Sequence, residues 1–206
     1  MTVDLKSVKK NFEGRNYQVS IFRNKEEAAE YLNAQIDGKT VGFGDSETLI
    51  SMRLYDRLAP HNTVYDPMHA GDGSKEAFFA MARNTLLTDV FITSVNGATV
   101  NGEMVNIDGS GNRVAGSLFG HQKVYFVFGT NKLAATLDEA INRARNIAAP
   151  ENCVRHGFKT PCAVLEPARC HDCRSEDRIC NVLSVYYMKM RFIEAEVVII
   201  DENLGF

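Results

Sequence analysis

The amino-acid sequence predicts an α/β protein built on a doubly wound, mainly parallel sheet with flanking helices, and three observations carry that expectation. Short β-prone runs recur at Tyr17 to Phe22, Thr40 to Phe43, Thr63 to Asp66, Asp89 to Val95 and Val124 to Phe128. Most give way to stretches whose apolar residues return every three or four positions, the period of a helix with one buried face. Parallel strands need crossover connections, and this alternation of strand and helix supplies them.

Taken in order, Leu5, Val8 and Phe12 fall at helical spacing and Gly14 stops them, giving a leading helix within residues 1–14. Asn24 with Glu27 three positions on reads as a capping box, opening a helix through Ala28, Tyr31, Leu32 and Ile36. The loop from Gly42 to Ser46 turns the second strand into a helix carrying Leu49, Met52, Leu54 and Leu58, and a further helix begins near Ser74. After the fourth strand, Asn101-Gly102 between β-prone flanks signals a hairpin. Gly109-Ser110-Gly111 opens a helix bearing Val114, Ala115, Leu118 and Phe119, while Thr136 with Glu139 caps a long one through Ile141, Ala144 and Ile147. Periodicity is lost over residues 150–181, an irregular cysteine-rich excursion. The runs Ser184 to Met190 and Ala195 to Asp201 are expected to finish the sheet as an antiparallel pair, giving a single domain over residues 1–206.

Composition narrows the function. With 45% hydrophobic and 24% charged residues the chain has the balance of a globular protein. A net charge of -3 leaves no broad positive field for a nucleic-acid backbone. Residues 1–14 hold no apolar stretch of the secretory kind and no run is long enough to span a bilayer, so no membrane is expected and the cytoplasm is the expected location. In that reducing setting the five cysteines read as core residues, metal ligands or reactive thiols.

Ligands of open α/β sheets sit beyond the carboxyl ends of the strands. Two loops meet that description. In one, Gly44, Asp45 and Ser46 lead to Thr48, where glycine lets backbone approach a ligand and the hydroxyls can cap a helix or donate to an anion. In the other, Asp108, Gly109, Ser110, Gly111 and Asn112 precede Arg113, whose permanent charge suits carboxylate or phosphate. Both also read as well-capped tight turns. Asp108, Glu103, Asp45 and Glu47 are the acid or base candidates, with Asp108 first because it adjoins the glycine turn. There is no Walker motif or dinucleotide fingerprint, hence no expected nucleotide cofactor, and no order of serine, histidine and aspartate that names a nucleophile.

Cys162, Cys170, Cys173 and Cys180 are separated by seven, two and six residues. The central Cys-His-Asp-Cys could clasp one metal, the outer pair completing a four-sulfur set for zinc or an iron-sulfur cluster. A buried set of free thiols, or a reversible pair at Cys170 and Cys173, is the other reading. Cys153 is expected to be a packing residue and His171 exposed.

Two stretches, Asp89 to Asn96 and Gly102 to Ala115, closely resemble the core motif of the LUD domain (lactate utilisation protein) family. So do Arg145 to Pro150, Lys159 to Cys162, Arg178 to Asn181 and Asn203 to Phe206. The resemblance runs from Lys25 onward and implies a fold similar to the sugar-phosphate isomerase and CoA-transferase superfamily. Some members are subunits of an iron-sulfur system that oxidises L-lactate to pyruvate; many small single-domain members have no assigned reaction. This chain resembles the small kind, lacking separate ferredoxin-like cysteine runs. Asn96 stands where related isomerases place a catalytic aspartate, so isomerase chemistry does not carry over. The expectation is a small carboxylate or phosphorylated ligand held by Gly44 to Ser46, Asn96 and Gly109 to Arg113, with partner subunits of an organic-acid oxidation system. The alternatives are a non-catalytic iron-sulfur or zinc-containing assembly or electron-transfer subunit, and an enzyme of the CoA-transferase or isomerase type.

Overall fold

The computed structural model describes residues 3–206; positions 1 and 2 of the expected leading segment lie outside them. Its strands are β1 (Gln18–Phe22), β2 (Thr40–Phe43), β3 (Thr63–Tyr65), β4 (Val90–Thr93), β5 (Gly97–Thr99), β6 (Met104–Asp108), β7 (Lys123–Gly129), β8 (Leu133–Ala134), β9 (Val182–Tyr186) and β10 (Glu194–Ile200). Its helices are α1 (Leu5–Glu13), α2 (Lys25–Gln35), α3 (Glu47–Ser51), α4 (Leu54–Leu58), α5 (Lys75–Thr85), α6 (Asn112–Leu118), α7 (Leu137–Arg143), α8 (Ala149–Arg155) and α9 (Pro161–Val164). Six strands form a parallel sheet in the order β1-β10-β7-β4-β2-β3. The expected mainly parallel architecture with flanking helices is what forms.

Side chains alternate across a strand, and here the two sets feed two cores. Val198 and Ile200 of β10 pack with Ala28, Leu32, Leu49, Leu54 and Leu58 on the face covered by α2, α3 and α4. Val197 and Ile199 pack with Val8 and Phe12 of α1 on the opposite face, where Phe91 and Phe126 meet Met104 and Tyr186 of a second, smaller sheet. Burying each such large side chain contributes about 1.5–3 kcal/mol. The helices start where the capping chemistry places them: Asn24 accepts from the Glu27 amide and Ser74 from that of Ala77, and Thr136 with Glu139 forms a reciprocal capping box. The long helix expected after Thr136 is α7 and α8 joined through a π-helical turn at Ala144–Ala148.

The second sheet runs β8-β5-β6-β9. Its β5-β6 hairpin turns at Gly102, whose φ of 94° is a left-handed conformation that glycine adopts without strain. The expected antiparallel pairing of the two late strands is corrected here. Strand β9 pairs antiparallel with β6, from Met104 opposite Tyr186 to Asp108 opposite Val182. Strand β10 instead inserts parallel between β1 and β7. The reason lies in its composition: Ala195 to Ile200 is buried throughout, as a strand covered on both faces must be. The one charge within that buried stretch, Glu196, accepts hydrogen bonds from Lys123 at 2.8 Å, Ser20 at 2.7 Å and Tyr31 at 2.8 Å. Burial alone would raise that carboxyl; the three donors outweigh it and hold it below its ordinary value.

The topology also locates a crevice. From β2 the chain moves outward to β3, then returns across the sheet through α5 to β4 on the other side of β2. Loops that leave the carboxyl ends of β2 and β4 therefore diverge, and the gap at such a reversal is where open α/β sheets hold ligands. The loop after β2 begins at Gly44 and that after β4 at Ser94.

Candidate functional site

Asp45, Ser46, Ser94, Asn96, Arg113 and Lys132 border a recess of about 50 Å³ at this reversal point. It adjoins a wider cleft of about 620 Å³ that shares Asp45, Arg113 and Asn152 with it and is walled by Met68, Phe78, Phe79 and Phe158. The recess is polar and fits only a few heavy atoms; the cleft has an apolar wall able to take a ligand's body.

Asn96 organises the polar end. Its side-chain oxygen accepts from the Ile107 amide at 2.9 Å and from Arg113 Nη2 at 3.3 Å, while its carbonyl takes Arg143 Nη1 at 2.6 Å. Arg113 also donates to the Ile107 carbonyl at 2.5 Å, so the guanidinium turns toward the sheet. Among the described residues only Nη2 of Arg113 finds protein acceptors, leaving the other donors of the fork unused. In the glycine turn before it, Asp108, Gly109 and Gly111 have structural reasons: Asp108 Oδ2 accepts the Val114 amide at 2.9 Å, and Gly111 takes a φ of 85°. A Cβ on Gly109 would stand 3.0 Å from the Ile179 backbone. Ser110 and Asn112 line the outer cleft.

Lys132, which the sequence reading passed over, lies at the bottom of the recess. It follows β7 in a 3-10 turn, is 3% exposed, and donates from Nζ to Ser94 Oγ at 3.1 Å and Thr48 Oγ1 at 3.2 Å. Thr48 hands its own hydrogen to the Leu204 carbonyl at 3.2 Å, which fixes its oxygen as the acceptor for the lysine. Burial, reinforced by the charges of Arg143 and Arg113, pushes the Lys132 ammonium down to about 7. Among the described residues no carboxylate lies within ion-pair distance of Lys132, Arg113 or Arg143. A signal for Lys132 existed in the sequence, since Thr130-Asn131-Lys132 directly follows a parallel strand at its carboxyl end.

The carboxylate candidates are distributed otherwise. Asp45 and Glu47 are both claimed by Arg155 of α8, with 2.5 Å contacts to each, and His156 approaches Asp45 at 3.7 Å. Burial would raise the Asp45 carboxyl, but His156, Arg155 and Arg113 bring it down to about 2. Glu103 lies in the hairpin, paired with Arg15 and Thr99, and does not line the recess. Gly44 donates its amide to the Ile92 carbonyl at 2.8 Å, and a Cβ there would meet Thr93 Oγ1 at 2.7 Å. Ser46 precedes α3 without capping it, so its hydroxyl is left for the recess.

All five cysteines are free thiols. Cys162 shares a 3.2 Å contact with Thr160 Oγ1, and Cys170 receives Arg145 Nη2 at 3.7 Å. Cys153 is buried beside Cys162; burial raises its thiol to about 11. Among the described residues no three His, Cys, Asp or Glu side chains are gathered as a metal-ligand set, so Cys162, Cys170, Cys173 and Cys180 do not form one coordination sphere as they stand. Nor, among the described residues, is any helix long and apolar enough to cross a membrane.

Fold and crevice define an open α/β domain with a small polar recess at its strand reversal, bordered by Lys132 and Arg113 and by the Arg155-paired Asp45 and Glu47. The LUD domain model matches residues 5–200, and the chain belongs to that family. A solved structure supports the fold: the crystal structure of a DUF162 family protein from Deinococcus radiodurans is similar, with a TM-score of 0.54 at 12% identity, covering 95% of each chain. No curated protein matches the chain.

Proposed function

We propose that this LUD domain binds a small organic-acid anion, of the lactate or pyruvate kind, with its charged head in the recess and its body in the cleft. The observation that carries the reading is that Lys132 and Arg113 reach one small recess, with Arg143 close behind the lysine, while the two carboxylates on that recess, Asp45 and Glu47, are already paired with Arg155. Uncompensated buried charge is costly, and a bound anion offsets that cost. The family's link to lactate utilisation agrees with such a ligand.

Titration calorimetry with lactate, pyruvate, a CoA thioester and a sugar phosphate tests this. A carboxylate is expected to give saturable heat in wild type, weakened at least about tenfold in Arg113→Ala, a loss of about 1.4 kcal/mol. Absence of heat from all four, in wild type and variant alike, would refute the site.

A second reading concerns the cysteines. Burial, with a smaller contribution from the nearby thiols of Cys170 and Cys173, raises the Cys180 thiol, and the nearness of the three sulfurs supports an iron-sulfur or zinc-bearing assembly subunit whose excursion contracts around the metal. Elemental analysis of anaerobically purified protein distinguishes iron, zinc and neither.

A further inference from the structure

We propose that Lys132 is a carbonyl-reactive amine, and that the ligand class of this recess is a 2-oxo acid, bound covalently through its carbonyl carbon to Lys132 Nζ while its carboxylate lies on Arg113. The proposal rests on the anion-site reading and specifies its substrate.

Three features of the geometry separate this from simple ion pairing. First, the two hydrogen bonds that Nζ donates, to Ser94 and Thr48, match the two N–H bonds of a neutral amine. The fourth tetrahedral position then carries the lone pair, and Lys132 borders the recess. Second, an amine meant to serve as a charge would gain from a carboxylate neighbour. Lys132 instead shares its surroundings with Arg113 and Arg143, the arrangement that suppresses ammonium and favours a nucleophile. Third, the recess of about 50 Å³ accommodates a carboxylate and the adjoining carbonyl but little more, so a substituent must project into the apolar cleft beside Met68, Phe78 and Phe79. A 2-oxo acid places its carboxylate and electrophilic carbon one bond apart, as the joint presence of Arg113 and Lys132 on one small recess requires.

The chemistry balances without an oxidant. The nitrogen lone pair forms a bond to the carbonyl carbon while the π pair moves to oxygen, and one amine proton crosses to that oxygen, with the Ser94 hydroxyl as a relay. The carbinolamine then loses its hydroxyl group together with the second amine proton, releasing one water and leaving a C=N bond.

Trapping tests it on the unmodified protein. Wild type is incubated at neutral pH with pyruvate or phenylpyruvate and cyanoborohydride, then digested and mapped by mass spectrometry, with lactate as a control that carries no carbonyl. The Lys132 peptide is expected to gain the mass of the oxo acid less one oxygen atom, at least about tenfold faster than any surface lysine, whose ordinary pKa near 10.4 leaves little free amine. Phenylpyruvate is expected to label faster than pyruvate because its ring reaches the cleft. Labelling confined to surface lysines, while calorimetry still detects pyruvate, overturns the imine and leaves the anion site standing. No labelling of Lys132 and no binding of any carboxylate removes both. Lys132→Arg, which keeps a positive group but no amine able to form an imine, is expected to lose trapping at this position; equal trapping in that variant also overturns the proposal.

Discussion

Lys132 and Thr48 meet at 3.2 Å, joining the turn after β7 to the helix after β2 across the sheet reversal, with Ser94 of the β4 loop between them. Three strand ends are thus tied by one amine. The tie is not there for stability, because a desolvated lysine without a carboxylate is unfavourable. Replacement by an apolar side chain of similar length, Lys132→Met, is expected to stabilise the fold by about 1–3 kcal/mol. Urea denaturation would measure it. The same variant is expected to lose carboxylate binding, separating stability from function.

The lowered Lys132 value gives stability a pH dependence of definite sign. Between about 7 and 10.5 the unfolded chain holds a proton on this amine that the folded chain has released. Stability attributable to Lys132 therefore rises with pH through that window, by up to about 1.4 kcal/mol per unit. Below 7 both states are protonated, and the burial penalty is present in full. The groups facing the amine are the guanidiniums of Arg113 from α6 and Arg143 from α7 and the hydroxyls of Thr48 and Ser94. Subtracting the Lys132→Met curve from wild type isolates this slope; parallel curves would contradict it.

Asp45 has the opposite dependence. Its folded carboxyl titrates at about 2 against an ordinary 3.8, so its contribution is complete above 3.8 and disappears as pH falls through about 2. Arg155→Met removes the partner of both Asp45 and Glu47 and is expected to cost about 2–4 kcal/mol at neutral pH. Acid titration monitored by circular dichroism should show this variant unfolding at higher pH than wild type.

Asn96 provides a test of charge. In Asn96→Asp the new carboxylate pairs with Arg113 and competes with the ligand, so carboxylate affinity is expected to fall about tenfold, or about 1.4 kcal/mol. Asn96→Ala leaves the Ile107 amide without its acceptor and is expected to destabilise by about 1–3 kcal/mol. Calorimetry checks the first and urea denaturation the second.

Packing of α6 sets where Arg113 points. A Cβ on Gly116 would stand 2.6 Å from the Phe91 ring, so Gly116→Ala is expected to push the helix outward at a cost of about 1–3 kcal/mol. Denaturant midpoints would report it.

Local signals read well in the sequence. Caps at Asn24 and Thr136, the Asn101-Gly102 hairpin and the alternation of strand and helix all depend on neighbours a few residues apart, and the structure contains each. Long-range pairing was the harder part. Ser184 to Met190 and Ala195 to Asp201 look like natural partners by proximity, yet the nearly unbroken apolar run of β10 belongs at the centre of a sheet and only the tertiary fold supplies that place. The site divides the same way. Arg113, Asn96 and Asp45 were visible because glycine turns flank them or a motif contains them. Lys132 sits in an ordinary-looking Thr-Asn-Lys turn, and what distinguishes it, burial against two hydroxyls and two guanidinium groups, comes from four separate segments.

The position of β10 bears on how the chain acquires its shape. As an edge strand, β1 has β10 as its one neighbour in the sheet. A growing polypeptide must therefore carry β1 unpaired, with β7 also lacking one flank, until the ribosome has delivered the segment around Ala195. Assembly of the main sheet closes like a zip whose middle tooth is inserted late, a high-contact-order step that slows folding and keeps sticky strand edges open to chaperones meanwhile.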